Sequence, residues 1–540
     1  MFKILNSESN STTGAALLIG GATLLNKIIG VLRDRIIAHY YGAGPVTDAY
    51  YAAFKIPDLV YNLLIVGALT AGFIPVFTKL FLEGKDKSTA WKLANNVLNL
   101  AAVTLVVLCG LGIIFAPLLV PLLAPGFTSE NLNLTTNLTR VMFLSPIFLG
   151  FSMVLGGVLQ SLRRFVLYSF APIFYNLGII FGAVGLTKFV GPIGLAIGVA
   201  IGAFIHFALQ YYGAHLVGYR WSPIFKLREK NTRLIGRLMI PRTLGLAVSN
   251  VNTFVTTILA SLLPAGSVAV YNYADNLQWV PIGVIGISFA LATFPMLSAS
   301  VAEGNKEKFV ASLGSTMRQI LFLIIPVSLI LLILRAQIVR VVLGSGAFDW
   351  NATVNTADAL AFFALGLFAQ SLIPLFARAF YALSNTKTPF IIGVIAALVN
   401  IIASLVLMEP LGVAGLALAA SIGAIINFSL LLVYLKTTLH DLEENKLLSS
   451  LYRISVAAIA MGLVMQYIKT PLAAIFNQDY FWGIFGQGLI AGISGLSIYL
   501  LLCYILRLPE MMNLAQGFHK KWLKIKNIKT DQEGINLKEL

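Results

Sequence analysis

Apolar runs cut by short polar stretches make up almost the whole chain. A helix that crosses a bilayer needs about 20 mostly apolar residues. The pattern predicts about fourteen such helices. Six fall near 13–40, 46–80, 92–122, 136–161, 166–188 and 192–217, and six more near 237–263, 267–299, 310–344, 355–383, 388–408 and 412–436. The last two fall near 450–468 and 482–506. Lys and Arg concentrate in alternate loops. One set includes KLFLEGKDKSTAWK, SLRRF, YRWSPIFKLREKNTRLIGR, EGNKEK, SNTKTP, KTTLHDLEENK and HKKWLKIKNIK. The other includes PGFTSENLNLTTN, LLPAGSV, GSGAFDWNATVN, MEPLG and KTPLAAIFNQDY. The basic side is cytoplasmic by the positive-inside rule, which puts both termini inside and agrees with an even helix count.

Two stretches repeat. GALTAGFIPVFTKLFLEGKDK (Gly67–Lys87) and GISFALATFPMLSASVAEGNKEK (Gly286–Lys308) place Pro75 and Pro295, and Glu83-Gly84 and Glu303-Gly304, 220 residues apart. LQSLRRF (Leu159–Phe165) is echoed by FYALSNTKTPF (Phe380–Phe390) at the hairpin after the fourth helix of each half. Six-helix repeats of one orientation are related by a pseudo-two-fold along the membrane normal. The expected fold is an all-α polytopic membrane protein of two six-helix lobes plus two C-terminal helices. The boundaries are an N-terminal lobe at 1–217, a basic cytoplasmic linker at 218–236 and a second lobe at 237–440. A terminal helix pair follows at 441–507, then a basic cytoplasmic tail at 508–540 that reads as a membrane-surface helix. Two lobes of this kind rock around a central site in transporters, and a chain that closes its own cavity is expected to be a monomer.

Composition supports this. Of 540 residues, 58% are hydrophobic and 11% charged, where a soluble domain carries about 25% charged residues. The net charge of +16 fits basic loops beside anionic lipid rather than nucleic acid. Cys109 and Cys503 lie in apolar runs and read as packing residues. The opening MFKILNSESNSTTG is too polar and short for a secretory leader, so the first apolar run is expected to be retained.

Charge inside the apolar runs is the candidate chemistry. The first two helices carry Lys27, Arg33, Asp34, Arg35, Asp48, Lys55 and Asp58, while the second half carries Arg242, Asp275, Arg318 and Arg378. Lys27 and Asp34 are seven residues apart and share a helix face, with Arg33 close by; Asp48 and Lys55 have the same spacing on helix two. Charges at bilayer depth face a partner or a water-filled cavity. A basic cavity wall selects an anion, and arginine suits phosphate oxygens in a bidentate fork. The alternative is that helix one ends near Arg33, leaving Arg33–Arg35 as a solvated collar. His206 reads as a packed, hydrogen-bonded residue. Asn250, Asn252, Asn272 and Asn276 either line a cavity or join helices. No P-loop, H-E-x-x-H or G-x-S-x-G occurs in the sequence. No cofactor or metal is expected.

The run NKIIGVLRDRIIAHYYGAGPVTDAYYAAFKIPDL (Asn26–Leu59) resembles the amino-terminal signature of the MurJ/MviN family of lipid II flippases. The matching features are G-x-x-R-D at Gly30–Asp34, G-A-G-x-x-T-D-A at Gly42–Ala49, F-K-x-P at Phe54–Pro57 and G-x-x-x-x-x-F-x-P at Gly67–Pro75. GSVAVYNYADNL (Gly266–Leu277) resembles a further family segment. The resemblance covers essentially the whole chain. It implies transport of undecaprenyl-diphosphate-linked peptidoglycan precursor from the inner to the outer leaflet of the bacterial cytoplasmic membrane, by alternating access. It places the family's cavity arginine on Arg33, its acidic neighbour on Asp34, an earlier basic position on Lys27, and further motif positions on Lys55, Asp48 and Asp275. It also implies a groove for the lipid tail in the terminal helix pair, and a functional link to cell-wall synthases. The chain departs from the family pattern where arginine is common: Tyr61 and Asn62 follow F-K-x-P, and Asn276 follows Y-A-D. Val66 replaces a common glutamate. Each lost cation weakens diphosphate binding by about 1.5–3 kcal/mol if its bond is not replaced. Two alternatives stay open. One is an exporter of another polyprenyl-linked oligosaccharide in the same fold. The other is a membrane glycan polymerase or ligase, with Asp349 as its candidate carboxylate.

Overall fold

The structure, a computed structural model, describes residues 12–63, 72–82 and 87–512. Val66, Glu83-Gly84 and the basic tail from 513 onward lie outside the described residues, as does the side chain of Arg242. No strand occurs among the described residues. The helices are α1 (Thr12–Tyr41), α2 (Pro45–Tyr61), α3 (Ile74–Leu82), α4 (Lys87–Leu123), α5 (Ser129–Met142), α6 (Leu144–Ser161), α7 (Phe165–Phe181), α8 (Thr187–Val190) and α9 (Ile193–Leu216). They continue with α10 (Lys230–Ser261), α11 (Ser267–Pro281), α12 (Ser288–Ala302), α13 (Lys306–Ile333), α14 (Arg335–Val342), α15 (Trp350–Ala382), α16 (Lys387–Leu439), α17 (Glu444–Ile475) and α18 (Phe481–Ile505). Among the described residues, ten helical segments are long and apolar enough to cross a membrane.

Local chemistry starts and stops these elements. Pro45 opens α2, where its missing N–H is no loss. Thr128 and Asn305 cap α5 and α13 through the N–H groups of Asn131 and Lys308. The 53 residues of α16 would span about 80 Å at 1.5 Å per residue, far more than one bilayer crossing. The run breaks at Gly412, whose φ of 56° is left-handed, just after Pro410. That break separates the stretches expected at 388–408 and 412–436.

The sequence echo between 159–165 and 380–390 has a structural counterpart. Arg163 and Ser384 are both left-handed, with φ of 56° and 59°. Each follows its helix in a Schellman turn: Arg164 N–H donates to the Leu159 carbonyl at 2.8 Å, and Asn385 N–H to the Phe380 carbonyl at 2.9 Å.

The described residues group into two compact units. One holds those up to Leu277 with Val342–Ala359 and Gly393–Ala420; the other holds Gln278–Val341, Leu360–Ile392 and those from Ser421 on. Helices on both sides of the 218–236 linker thus contribute to the first unit. There, α7 and the π-turn after it meet α9 through glycines spaced four apart. A Cβ on Gly182 would lie 2.6 Å from the Gly198 Cα, and one on Gly202 would collide with the Tyr175 carbonyl. Small residues let membrane helices pack backbone to backbone where hydrophobicity gives no drive. Cys109 is buried in this unit and Cys503 in the other, both free. Ser152 Oγ and His206 Nδ1 lie 2.6 Å apart, so His206 is a packed and hydrogen-bonded residue.

In the second unit, Tyr499 of α18 donates to the Phe322 carbonyl of α13 at 2.7 Å. Arg318 of α13 donates to Glu510 at 3.1 Å and reaches Glu443 at 3.5 Å. Ser450 of α17 adds a bond to Glu510 at 3.2 Å. This gathers three helix ends. In the loop before α17, the hydrogen bond from Lys446 at 2.6 Å holds the Glu443 carboxyl below its ordinary 4.5.

Two predictions follow from this packing. Gly198→Leu overpacks the α7–α9 contact by about 1–3 kcal/mol and lowers the melting temperature in detergent. Gly20→Leu, where a Cβ meets nothing within 4 Å, leaves it unchanged. A carboxyl whose pKa is depressed on folding stabilises above its unfolded value and loses that contribution as pH falls through the folded one. Stability of the second unit therefore drops on acidification below about pH 4.5. Glu443→Gln flattens that drop, which thermal melts across pH 3–6 measure.

Candidate functional site

Helix α1 runs unbroken to Tyr41, so Arg33–Arg35 lie well inside it and are not a collar past its end. Asp34 is 5% exposed. Arg33 Nε and Nη2 both donate to Asp34 Oδ1, at 3.0 and 2.7 Å, and Nη1 donates to Asn176 Oδ1 of α7 at 3.0 Å. Asn176 in turn donates to Asn26 Oδ1, one α1 turn and more before Arg33, at 2.9 Å. Asp34 Oδ2 accepts from Asn276 Nδ2 at 3.0 Å, and its Oδ1 receives a long contact from the Tyr51 hydroxyl at 3.4 Å. The arginine is thus held from two sides and its counter-ion from three. Guanidinium offers five N–H donors; three are used here, which leaves two for a ligand.

Lys55, on α2, donates to Asn272 Oδ1 of α11 at 3.0 Å, and Asp58 and Asp275 lie within electrostatic reach of it. Arg33 and Lys55 therefore each have carboxylates close by. Lys27 is exposed and takes no part in the Arg33 cluster. Arg35 donates to the Val342 carbonyl at 3.2 Å. Asn252, also expected to line a cavity or join helices, accepts from Asn400 at 2.7 Å and does join them.

Asp48 has a different occupation. It is 2% exposed, and its two oxygens accept from the backbone N–H groups of Gly266 and Ala269 at 2.5 and 2.8 Å. It caps the N-terminus of α11 from another helix, where a carboxylate also meets the positive end of the helix dipole. The chain around it is tightly seated. Gly42 and Gly266 are left-handed, and a Cβ on either would strike the carbonyls of Ala347 or Ala43. Ala347 N–H donates to the His39 carbonyl at 2.8 Å. Asp349 accepts from Ala352 N–H at 2.7 Å, as the cap of α15. That is a structural task for the carboxylate considered as a catalytic candidate.

Sequence reasoning missed Asn176, Asn26 and Tyr51. The available signal was a lone asparagine in the apolar run FYNLG, because a buried amide without a partner is costly in a membrane. It left the purpose of Asn272 and Asn276 undecided; the structure assigns one to Lys55 and the other to Asp34.

A bundle with ten described helical segments long and apolar enough to cross a membrane, and with a charge-compensated ionic cluster packed between helices, has the architecture of a transporter. Multidrug transporters of the MOP superfamily share the fold. An inward-facing MATE structure matches with a TM-score of 0.66 at 17% identity, covering 79% of this chain and 99% of that one. A solved lipid II flippase MurJ in an inward closed conformation matches at 0.76 with 25% identity, covering 91% and 98%. Residues 37–486 match the family model described as lipid II flippase MurJ. The probable lipid II flippase MurJ of Buchnera aphidicola subsp. Schizaphis graminum is 30% identical over 511 residues, 93% of this chain and 98% of that relative. The lipid II flippase MurJ of Burkholderia cenocepacia is 30% identical over 437 residues, 78% and 83% of the two chains. This chain belongs to the MurJ family of lipid II flippases.

Removing the interhelical cap tests its structural weight. Asp48→Ala loses about 0.5–2 kcal/mol, the usual range for an N-cap, and Asp48→Asn recovers only part of it, because its single amide oxygen can accept from one of the two N–H groups. Melting curves of the two purified variants in detergent report the difference.

Proposed function

We propose that this chain carries lipid II from the inner to the outer leaflet of the cytoplasmic membrane by alternating access, with Arg33 as the primary cation for its diphosphate. The observation that carries the reading is the Arg33–Asp34–Asn176 cluster joining α1 and α7 in a chain that belongs to this family. Between transport events Asp34 compensates the guanidinium charge in a medium where a lone charge is expensive. The two remaining N–H donors then meet the diphosphate as a fork, and Lys55 and Lys27 add point charges along its path. Asn276 and Tyr51 keep Asp34 from rotating into the ligand's place. Asp275 balances Lys55, while Asp48 serves the frame rather than the ligand.

The supporting architecture is two six-helix lobes, 1–217 and 237–440, joined by the linker, with the terminal helix pair beside them. Together these make about fourteen spans, both termini cytoplasmic, in a monomer. The matched Schellman turns at Arg163 and Ser384 favour the repeat. One observation favours a second reading. Asn276 and Tyr61 stand where family members often carry arginine, and Asn276 is engaged with Asp34. A cavity with fewer cations suits another polyprenyl-linked oligosaccharide in the same fold. The polymerase or ligase reading loses its candidate carboxylate, since Asp349 caps α15.

The test is complementation of a conditional MurJ-depleted bacterium, with expression checked by blot. The native chain restores growth; Arg33→Ala does not, and Arg33→Lys restores it poorly because an ammonium cannot hold Asp34, Asn176 and a diphosphate together. Rescue by Arg33→Ala removes Arg33 from the centre of the mechanism. Failure of a well-expressed native chain moves the substrate to another lipid-linked glycan.

A further inference from the structure

The linker between α9 and α10 has no regular secondary structure, and three asparagines of α4 hold it. Asn95, Asn96 and Asn99 are 3%, 0% and 3% exposed, in the first third of α4. Asn95 Oδ1 accepts from the Tyr219 hydroxyl at 2.8 Å and from Ser222 N–H at 2.9 Å, and its amide donates to the Arg220 carbonyl at 2.9 Å. Asn99 donates to the carbonyls of Ser222 and Ile224 at 2.8 and 3.1 Å. Asn96 accepts from Lys226 N–H at 2.6 Å and donates to the Lys226 carbonyl at 3.0 Å and to Thr232 of α10 at 2.8 Å. The backbone is gripped at 220, 222, 224 and 226, every second residue.

Trp221, Pro223, Phe225 and Leu227, between and just beyond the gripped positions, are exposed. Trp221, Phe225 and Leu227 are 56%, 57% and 72% exposed. Trp221 is not loose, because its indole N–H donates to Asn99 Oδ1 at 3.0 Å while most of the ring stays outside. Lys226, Arg228 and Lys230 are exposed beside these rings. The strap leaves the end of the membrane helix α9, whose last turn is folded over by Arg220. A plain solvated loop explains the cations but not three large apolar side chains held outward by buried amides. Aromatic rings among Lys and Arg at the end of a span are the composition of a membrane interface, where rings sit at headgroup level and cations meet lipid phosphate.

We propose that the strap 219–228, with Lys230, is a preformed docking edge for anionic phospholipid headgroups of the cytoplasmic leaflet. Trp221 and Phe225 enter the boundary between headgroups and acyl chains, and Lys226, Arg228 and Lys230 take the lipid phosphates. The choice of leaflet rests on the orientation given under the proposed function; contact with the lipid does not.

The test uses the full-length chain in vesicles of phosphatidylcholine and phosphatidylglycerol with brominated acyl chains. The fluorescence difference between native chain and Trp221→Phe isolates the Trp221 signal. Expected are quenching of that signal by the brominated lipid and shielding from aqueous iodide. A triple variant, Lys226→Gln/Arg228→Gln/Lys230→Gln, is expected to retain several-fold less phosphatidylglycerol on purification, with an unchanged melting temperature. Quenching by iodide and not by brominated lipid overturns the proposal and points to a protein partner. Equal phosphatidylglycerol retention by the triple variant overturns the role of the cations. Lys226→Cys is expected to be labelled by a membrane-impermeant maleimide only after cells are opened; labelling of intact cells overturns the leaflet assignment. Because none of these readouts involves growth, failed complementation with quenching intact counts against the transport reading alone.

Discussion

A guanidinium packed among four helices sets the terms for everything around it. Arg33 cannot shed its proton, and with its side chain only 22% exposed the charge needs partners from the protein. Asp34 supplies the counter-charge from the next position on the same helix, Asn176 and Asn276 bring amides from α7 and α11, and Tyr51 approaches from α2. Four helices are drawn to one ion pair. Such a cluster is strongly destabilised by removing one member, and it stays balanced only while every polar atom has a partner.

Elsewhere asparagine meets the same need for partners, and glycine serves close packing. Asparagine side chains bond backbone groups that leave regular helix, as along the strap at 219–228, or join two helices, as Asn252 and Asn400 do. Glycine does the opposite task of removing bulk, so that α7 and α9 meet backbone to backbone. Asp48 combines both needs at the start of α11, satisfying two N–H groups from a neighbouring helix while glycines at 42 and 266 let the chain turn tightly beside it.

Much of this was legible beforehand. Long apolar runs marked the helices because each span must bury its own backbone polar groups in lipid. A sequence echo was visible between 159–165 and 380–390, and the two stretches make the same turn. The signature around Gly30–Asp34 led to the family to which the chain belongs. What lies opposite each charge was not legible: Lys27 is exposed, Lys55 has acidic neighbours, and Asp48 is a cap. Spacing along one helix reports which side chains share a face, and says nothing of what a second helix places opposite them.

The chain alone therefore determined its solvent, its helical class and its motif family. All of these depend on local composition and short spacing, where the bilayer imposes simple rules of length and charge. Tertiary structure decided which carboxylate compensates which cation, which asparagines serve the site and which the frame, and how the linker is held. Those choices join residues more than a hundred positions apart, as Arg33 with Asn176 or Asp34 with Asn276. Hydrogen bonds of about 3 Å between helices form only when packing brings both partners into register, and no periodicity within one segment encodes that.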